Sequence, residues 1–248
     1  MPPWTGRKMT SEELRGIGLA FGRGRINMSF RHGDKADVLV NRGNFLASIG
    51  AVPGRLVCCD QVHGGRAVEV TAADAGKGAL SFETSVARAD ALVTCVPGLP
   101  LGILTADCLP VLLFDPAAPA AAAVHAGWRG SRDGIIGNTL RLMREKFGTR
   151  PEAVSAWLGP CIGQCCYRVS GEFREIFPGS VAMDGEDTFF DLSGFNRQAL
   201  LVCGVRSENI HGSGGQCTVC LGSDFFSYRR EGGLAGRMLS VIMLGKTQ

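Results

Sequence analysis

The sequence predicts a single-domain α+β fold in which a mixed β-sheet core is flanked by helices. Three observations predict it: a length of 248 residues, short apolar runs along the middle of the chain, and helical periodicity in a few separate segments. A chain of this length buries a substantial core, and helices that occur apart from strand clusters favour α+β over a regularly doubly wound fold. We expect one domain over residues 1–248, with residues 1–14 as a flexible N-terminus.

The predicted elements begin with a helix from Asp34 to Ile49, because Asp34 is a typical N-cap residue and Gly50 a natural stop. Buried strands follow, since short apolar runs bounded by Gly, Pro or Asp are typical of them. These runs are Leu56–Cys59, Ala67–Val70, Ala91–Thr94, Leu101–Thr105, Val111–Phe114 and Ala120–Val124.

Two more helices are predicted after these strands. In the segment from Ser131 to Phe147 the apolar residues step by four, three and four positions, which places them on one helical face, and Gly148 follows. A third helix is predicted from Ser193 to Cys203 on the same grounds. The chain then ends in further short elements that include the apolar run 241–244.

The composition indicates a small-molecule partner. Lys and Arg total 26 against 23 Asp and Glu, a net charge of +3 that is too small and scattered for a nucleic-acid or membrane surface. The apolar stretches fall short of the roughly 20 residues that a transmembrane helix needs. The N-terminus lacks the apolar segment of a secretory signal, so we expect a cytoplasmic protein, with a monomer favoured.

Ten cysteines are present, yet the chain is neither short nor poor in core residues, so a disulfide framework is not expected. Cys217 and Cys220, with His211 nearby, are candidates for a structural zinc knuckle, as are Cys161 and the adjacent pair Cys165 and Cys166. A closed structural site requires four ligands at recurrent spacing, which the sequence does not show. Thiols of the core or of turns are therefore the favoured interpretation.

Three residues at strand exits are candidate metal ligands. His63, Cys108 and His125 lie 45 and 17 positions apart, each where a predicted strand meets a loop. Two imidazoles and a thiolate can form three ligands of a tetrahedral zinc site whose fourth position stays free for water or substrate. Asp107 is expected to orient a ligating imidazole or to handle a proton. The same residues also allow a rival chemistry, with Cys108 as a thiolate nucleophile and either histidine as its base.

Arginines supply candidate substrate contacts. Arg129 follows His125 by four residues, and the start of a helix near Ser131 adds free backbone N–H groups that favour an anion such as phosphate. Arg229 and Arg230 follow an aromatic segment and combine ring faces with guanidinium groups, which suits the stacking of a base; a solvated turn is the alternative.

Taken together, several segments closely resemble the YfiH family, also called the polyphenol-oxidase or laccase-domain family. The resemblance spans about residues 15–245. It is carried by Gln61–Gly64, Ala89–Thr94, Thr105–Val111, Val124–Gly130, Leu158–Gly163, Cys217–Thr218 and Phe225–Arg230. It implies a single-domain α+β fold, grouped with cysteine hydrolases of the cytotoxic-necrotising-factor type, and a zinc ion held by His63, Cys108 and His125.

The resemblance also implies an activity. It points to a zinc-dependent purine nucleoside phosphorylase that acts on adenosine, inosine and methylthioadenosine with phosphate, together with adenosine deamination. Zinc would act as an electrophilic centre for phosphate or water. The opening of the chain departs from the usual family pattern, and candidate substrate contacts there include Arg23, Asn27 and Arg42.

Three alternatives remain at this point. One is a zinc-free thiol hydrolase or amidase that edits peptidoglycan precursors, and another is a non-catalytic carrier of metal or nucleoside. The third follows the older family label of copper laccase, but a multicopper oxidase needs many histidine ligands and this chain has four histidines.

Overall fold

The computed structural model describes residues 17–212 and 215–245. The predicted flexible N-terminus, residues 1–14, lies outside them. Within these ranges the strands are β1 (Ile17–Phe21), β2 (Val57–Cys58), β3 (Ala67–Glu69), β4 (Ala91–Thr94), β5 (Leu101–Thr105), β6 (Leu109–Asp115), β7 (Ala120–Ala126), β8 (Ser155–Leu158), β9 (Arg168–Val169), β10 (Val181–Asp184), β11 (Asp187–Phe190), β12 (Ile210–His211) and β13 (Met238–Leu244). The α-helices are α1 (Lys35–Ala47), α2 (Trp128–Arg132), α3 (Ile135–Phe147), α4 (Phe173–Ile176), α5 (Leu192–Val202) and α6 (Tyr228–Glu231).

The strands form two larger sheets and one small one. The larger sheets have the orders β12-β8-β6-β7-β4-β3 and β1-β13-β5-β2, and the small sheet is β10-β11-β9. Parallel pairs such as β3 with β4 and β2 with β5 occur beside antiparallel ones. The predicted α+β class with mixed sheet is therefore confirmed, and each of the six predicted apolar runs contains a strand. The prediction is a single mixed sheet, whereas the core contains two larger sheets packed against each other.

The core is arranged in four layers. Along β7, Ala120, Ala122 and Val124 face α3 and α5, while Ala121 and Ala123 face the four-stranded sheet. The opposite side of that sheet packs on α1 through residues such as Leu239. Both faces of each larger sheet are therefore covered, which explains why its strands have continuous apolar sequences instead of alternating ones.

The three predicted helices are present, one of them divided in two, and the short helices α4 and α6 are not predicted by the sequence. Asp34 caps α1, because its carboxylate accepts hydrogen bonds from two N–H groups of the first turn. The predicted helix from Ser131 to Phe147 is in fact two helices, α2 and α3. Gly134 separates them with a φ of 75°, a left-handed conformation that ends one helix before the next begins. In the described part of the chain, we find no helix that is both long and apolar enough to span a bilayer.

Candidate active site and metal triad

Strand pairing brings the three candidate ligands together. The β6–β7 register pairs Leu109 with Ala126, so Cys108, just before β6, lies beside the end of β7 that carries His125. His63 reaches the same point from the loop after β2. The three ligand atoms lie within 4.8 Å of one another, and the two imidazole rings meet nearly perpendicular at 4.8 Å between centroids. The predicted convergence of His63, Cys108 and His125 is therefore present in the structure.

A buried carboxylate, Asp90, orients both histidines. One of its oxygens, Oδ1, accepts the backbone N–H of His63 and the ring Nδ1–H of His125, each at 2.8 Å. The other, Oδ2, accepts the N–H groups of Gly64 at 2.7 Å and Val62 at 3.3 Å. Burial opposes the charged form, but His125 and these N–H groups outweigh it and lower the pKa of Asp90. With Nδ1 engaged in this way, Nε2 is the nitrogen of His125 that remains for a metal.

Two other residues shape the site without supplying ligands. The side-chain amide of Gln61 pairs with both backbone groups of Leu104, at 2.8 Å each, and so fastens the His63 loop to β5. A Cβ atom on Gly127 would lie 3.0 Å from the sulfur of Cys108 and 3.3 Å from the ring of His63. A side chain at position 127 would therefore crowd Cys108 and His63, and glycine avoids this.

Without a metal ion, the pKa of Cys108 is lowered and that of His125 is raised. Burial disfavours the Cys108 thiolate, but His125 and His63 outweigh burial and lower its pKa to about 6. Burial likewise disfavours the imidazolium of His125, but the thiolate and Asp90 raise its pKa to about 9. The pair is therefore a thiolate and an imidazolium near neutral pH, and a metal ion bound by the triad would displace one proton from His125.

The triad opens into a cavity of about 580 Å³. Its lining combines cationic and aromatic side chains: Arg31, Arg42, Arg129, Arg229 and Arg237, and Phe30, Phe82, Trp128, Tyr167 and Tyr228. Several of these arginines are engaged, and Arg42 for example donates to three backbone carbonyls. The guanidinium of Arg129 contacts the Trp128 ring at 4.4 Å and makes no hydrogen bond or ion pair within residues 17–212 and 215–245, so it is available to a ligand.

Asp107 lies at the cavity wall, but it does not orient an imidazole as predicted. Its carboxylate accepts the hydroxyl of Thr218 at 2.5 Å and the backbone N–H of Arg229 at 2.6 Å. Asp90, which the sequence analysis did not single out, has the orienting role instead. The reason is the strand register, because His125 donates its backbone N–H to the carbonyl of Asp90 and so lies directly beside it.

Two predicted substrate contacts are structural. The donors of Arg230 are taken by the carbonyls of Thr218, Val219 and Phe225 and by Glu231, and Arg230 is not among the cavity-lining residues. It holds the turn that precedes it.

The second is Asn27, whose side chain bonds the backbone of Ser29 and Arg237 and joins two cavity-lining segments from outside. The expected helix start at Ser131 is also wrong, since its N–H is bonded to the carbonyl of Gly127. Arg129 and Arg229 remain as cavity-lining arginines.

Comparison with known proteins identifies the family. The family model described as multi-copper polyphenol oxidoreductase laccase matches residues 15–245. A protein of Geobacillus stearothermophilus named purine nucleoside phosphorylase YlmD is 37% identical over 227 residues, which cover 88% of this chain and 82% of that protein. Purine nucleoside phosphorylase YfiH of Escherichia coli K12 is 35% identical over 226 residues, with 88% and 86% covered.

Solved structures agree with the sequence comparison. YfiH of Bacillus licheniformis superposes with a TM-score of 0.89 at 30% identity, with 94% of each chain covered. YlmD of Geobacillus stearothermophilus superposes with a TM-score of 0.88 at 32% identity, with 93% of each chain covered. The resemblance seen in the motifs is thus confirmed over nearly the whole described fold. This chain belongs to the YfiH family of laccase-domain proteins.

Proposed function

We propose that this protein is a zinc-dependent purine nucleoside phosphorylase that acts on adenosine, inosine and methylthioadenosine, with an accompanying adenosine deamination. The observation that supports it most is the position of the polarised His63–Cys108–His125 triad in a cavity lined by both aromatic rings and an unengaged guanidinium. Relatives more than 30% identical carry the phosphorylase name.

The triad suits zinc. Nitrogen and sulfur donors at a three-ligand site that opens into a cavity are the set that catalytic zinc prefers, and Asp90 fixes the ring orientation of His125 as such a ligand requires. A multicopper cluster does not fit, because it needs many histidines and only two of the four lie here. Single copper sites with two histidines and a cysteine add a weak axial ligand, commonly methionine or glutamine; no described methionine lines this cavity, and the side-chain amide of Gln61 is bonded to Leu104.

The cavity suits a purine nucleoside and phosphate. Trp128, Tyr167 and Tyr228 offer ring faces on which a purine stacks. Arg129, stacked on Trp128, presents a guanidinium that pairs with a phosphate in a bidentate manner. Arg229 lies over Tyr167 at 5.4 Å and donates to the carbonyl of Arg168, so it stiffens the aromatic wall.

In phosphorolysis a phosphate oxygen bonds to the ribose carbon as the bond to the purine breaks, giving ribose 1-phosphate and free base. When bound, zinc supplies Lewis-acid polarisation at this point. Arg129 holds the phosphate against the sugar, which makes the step effectively intramolecular. Asp107 is fixed by Thr218 and Arg229, and its remaining lone pairs accept a hydrogen bond from the substrate or handle its proton.

Product analysis tests this proposal. Purified protein is incubated with adenosine, with and without phosphate, and adenine, inosine and hypoxanthine are separated. We expect phosphate-dependent release of adenine, phosphate-independent formation of inosine, and loss of both with Cys108→Ala. Phosphate-dependent adenine release that persists undiminished in Cys108→Ala, together with a triad that binds no zinc, would overturn it.

A second candidate is the thiol hydrolase or amidase, which the low pKa of Cys108 beside protonated His125 favours. Alkylation separates the two. Labelling of Cys108 that continues undiminished in saturating zinc supports the hydrolase, whereas protection by zinc supports the phosphorylase.

A further inference from the structure

Four cysteine sulfurs lie close together outside the cavity. The sulfurs of Cys165, Cys166, Cys217 and Cys220 all lie within 4.8 Å of one another; we call these four residues the four-cysteine cluster. We propose that the four-cysteine cluster is a structural zinc site, closed by four thiolates, that joins two segments of the cavity wall.

The distances between the sulfurs fit this ligand set. A tetrahedron with Zn–S bonds of about 2.3 Å has edges of about 3.8 Å. The sulfur of Cys220 lies 3.7 Å from that of Cys165 and 3.4 Å from that of Cys166, and the latter two are 3.8 Å apart. These three sulfurs therefore lie at nearly the required separation, and the sulfur of Cys217 lies within 4.8 Å of each of them.

Disulfide bonding explains the arrangement less well. A disulfide selects one partner at about 2.0 Å, whereas Cys220 is almost equally distant from two cysteines. Adjacent cysteines such as Cys165 and Cys166 are also poorly placed to bond one another. All four thiols are unpaired in the structure, and their arrangement is that of ligands to one ion.

The backbone around the cluster is built as thiolate sites require. The N–H of Gly163 donates to the sulfur of Cys217 at 3.3 Å, and a Cβ at Gly163 would lie 3.2 Å from the sulfur of Cys165. Cys217 and Cys220 form a C-x-x-C turn, a common half of structural zinc sites. The guanidinium of Arg230 binds two carbonyls within this turn at 2.9 Å, which places a positive charge beside the thiolates.

The two segments that the cluster would join both shape the cavity. Tyr167, directly after Cys166, lines the cavity. Thr218, directly after Cys217, is fully buried and donates its hydroxyl to Asp107. The sequence favours core or turn thiols because one C-x-x-C lacks a second partner pair at recurrent spacing. The two cysteine pairs are 51 positions apart, and only the fold brings them together.

Metal stoichiometry tests the inference. Reduced, metal-free protein is reconstituted with Zn²⁺, desalted and analysed by mass spectrometry for metal per chain. We expect about two zinc ions in the unaltered chain, about one in His63→Ala/Cys108→Ser, and about one in Cys165→Ser/Cys220→Ser. Cys95→Ser is the matched control, because Cys95 is also exposed but lies outside both groups, and it should keep about two.

Cobalt identifies the ligands and covers the case in which the cluster variant does not fold. In His63→Ala/Cys108→Ser, Co²⁺ should give the visible spectrum of a tetrahedral site with thiolate charge-transfer bands of four sulfurs. Failure of this variant to bind Zn²⁺ or Co²⁺ when reduced, with a circular dichroism spectrum like that of the unaltered chain, would overturn the inference. So would a spectrum with fewer than four thiolates. Both measurements count metal at the cluster alone, so either outcome leaves the proposed phosphorolysis at the triad to its own product assay.

Discussion

Replacing Asp90 by asparagine should separate the supporting role of this carboxylate from the metal ligands themselves. Each carboxylate oxygen accepts two hydrogen bonds, Oδ1 from His63 and His125, and Oδ2 from Val62 and Gly64. In Asp90→Asn the amide nitrogen must occupy one of these positions, where it faces two donors. Whichever way the amide turns, two of the four hydrogen bonds are lost, and the other two keep only a neutral acceptor.

The expected loss of stability follows from the number of hydrogen bonds lost. Hydrogen bonds to a charged group contribute about 1.5–3 kcal/mol each, so the free energy of unfolding should fall by about 3–6 kcal/mol. Loss of the group that orients a metal-bound histidine weakens metal binding 10- to 100-fold, or about 1.4–2.7 kcal/mol. Zinc affinity is measured by chelator competition in the Cys165→Ser/Cys220→Ser background, and stability by urea denaturation.

Asp115→Asn is the matched control. Asp115 is equally buried, but one of its oxygens accepts both bonds, from Ala117 and Ala118, and the other has no partner among the described residues. The substitution therefore sacrifices no hydrogen bond, and we expect about 1 kcal/mol or less with unchanged zinc affinity. Zinc affinity in Asp90→Asn equal to that of the control would refute the proposed role of Asp90.

Three further predictions concern the cavity. Gly127→Ala places a Cβ atom 3.0 Å from the sulfur of Cys108 and should lower zinc affinity at least tenfold, an effect of about 1.4 kcal/mol. The control is Gly43→Ala on α1, which has open space around it and should leave zinc affinity unchanged. Arg129→Ala should raise the KM for phosphate more than that for adenosine, and an equal rise in steady-state assays would contradict the assignment. In metal-free protein, the rate at which iodoacetamide labels Cys108 should rise through about pH 6 and then level off, because the thiolate forms above the pKa of this residue. Exposed Cys95 supplies the comparison. A labelling rate of Cys108 that still increases beyond pH 8 would exclude the thiolate–imidazolium pair.

The sequence predicts best what depends on burial and worst what depends on pairing between distant strands. The run 120–124 is recognisable as a strand because both of its faces are covered, and Asp34 is recognisable as a cap because capping is local. Strands β9, β10 and β11 lack this signal, since they form a small, partly exposed sheet. Similarly, the apolar periodicity of α3 begins only at Ile136, so it does not locate the start of the helix, and the left-handed Gly134 divides the predicted helix in two.

At the candidate site, too, local signals are visible in the sequence and the pairing of distant strands is not. Their positions at strand exits make His63, Cys108 and His125 candidate ligands, and the family resemblance makes them the expected ones. Asp107, next to Cys108 in sequence, is the expected partner of a ligating imidazole. The β4–β7 register, which no single sequence reveals, makes Asp90 the neighbour instead. Arg230 was chosen for its aromatic surroundings, and those surroundings serve equally to hold a turn.

A chain of contacts connects the triad to the four-cysteine cluster. It runs from the turn of Cys217 through the buried hydroxyl of Thr218 to Asp107, whose next residue is Cys108. Asp90 holds the triad from the opposite side without contacting this turn. Removing metal from the cluster should therefore disturb Asp107, and with it turnover, before it disturbs zinc affinity at the triad. Because Asp107 is a neighbour of the ligands and not one of them, the two metal sites are expected to be coupled in kcat and independent in binding.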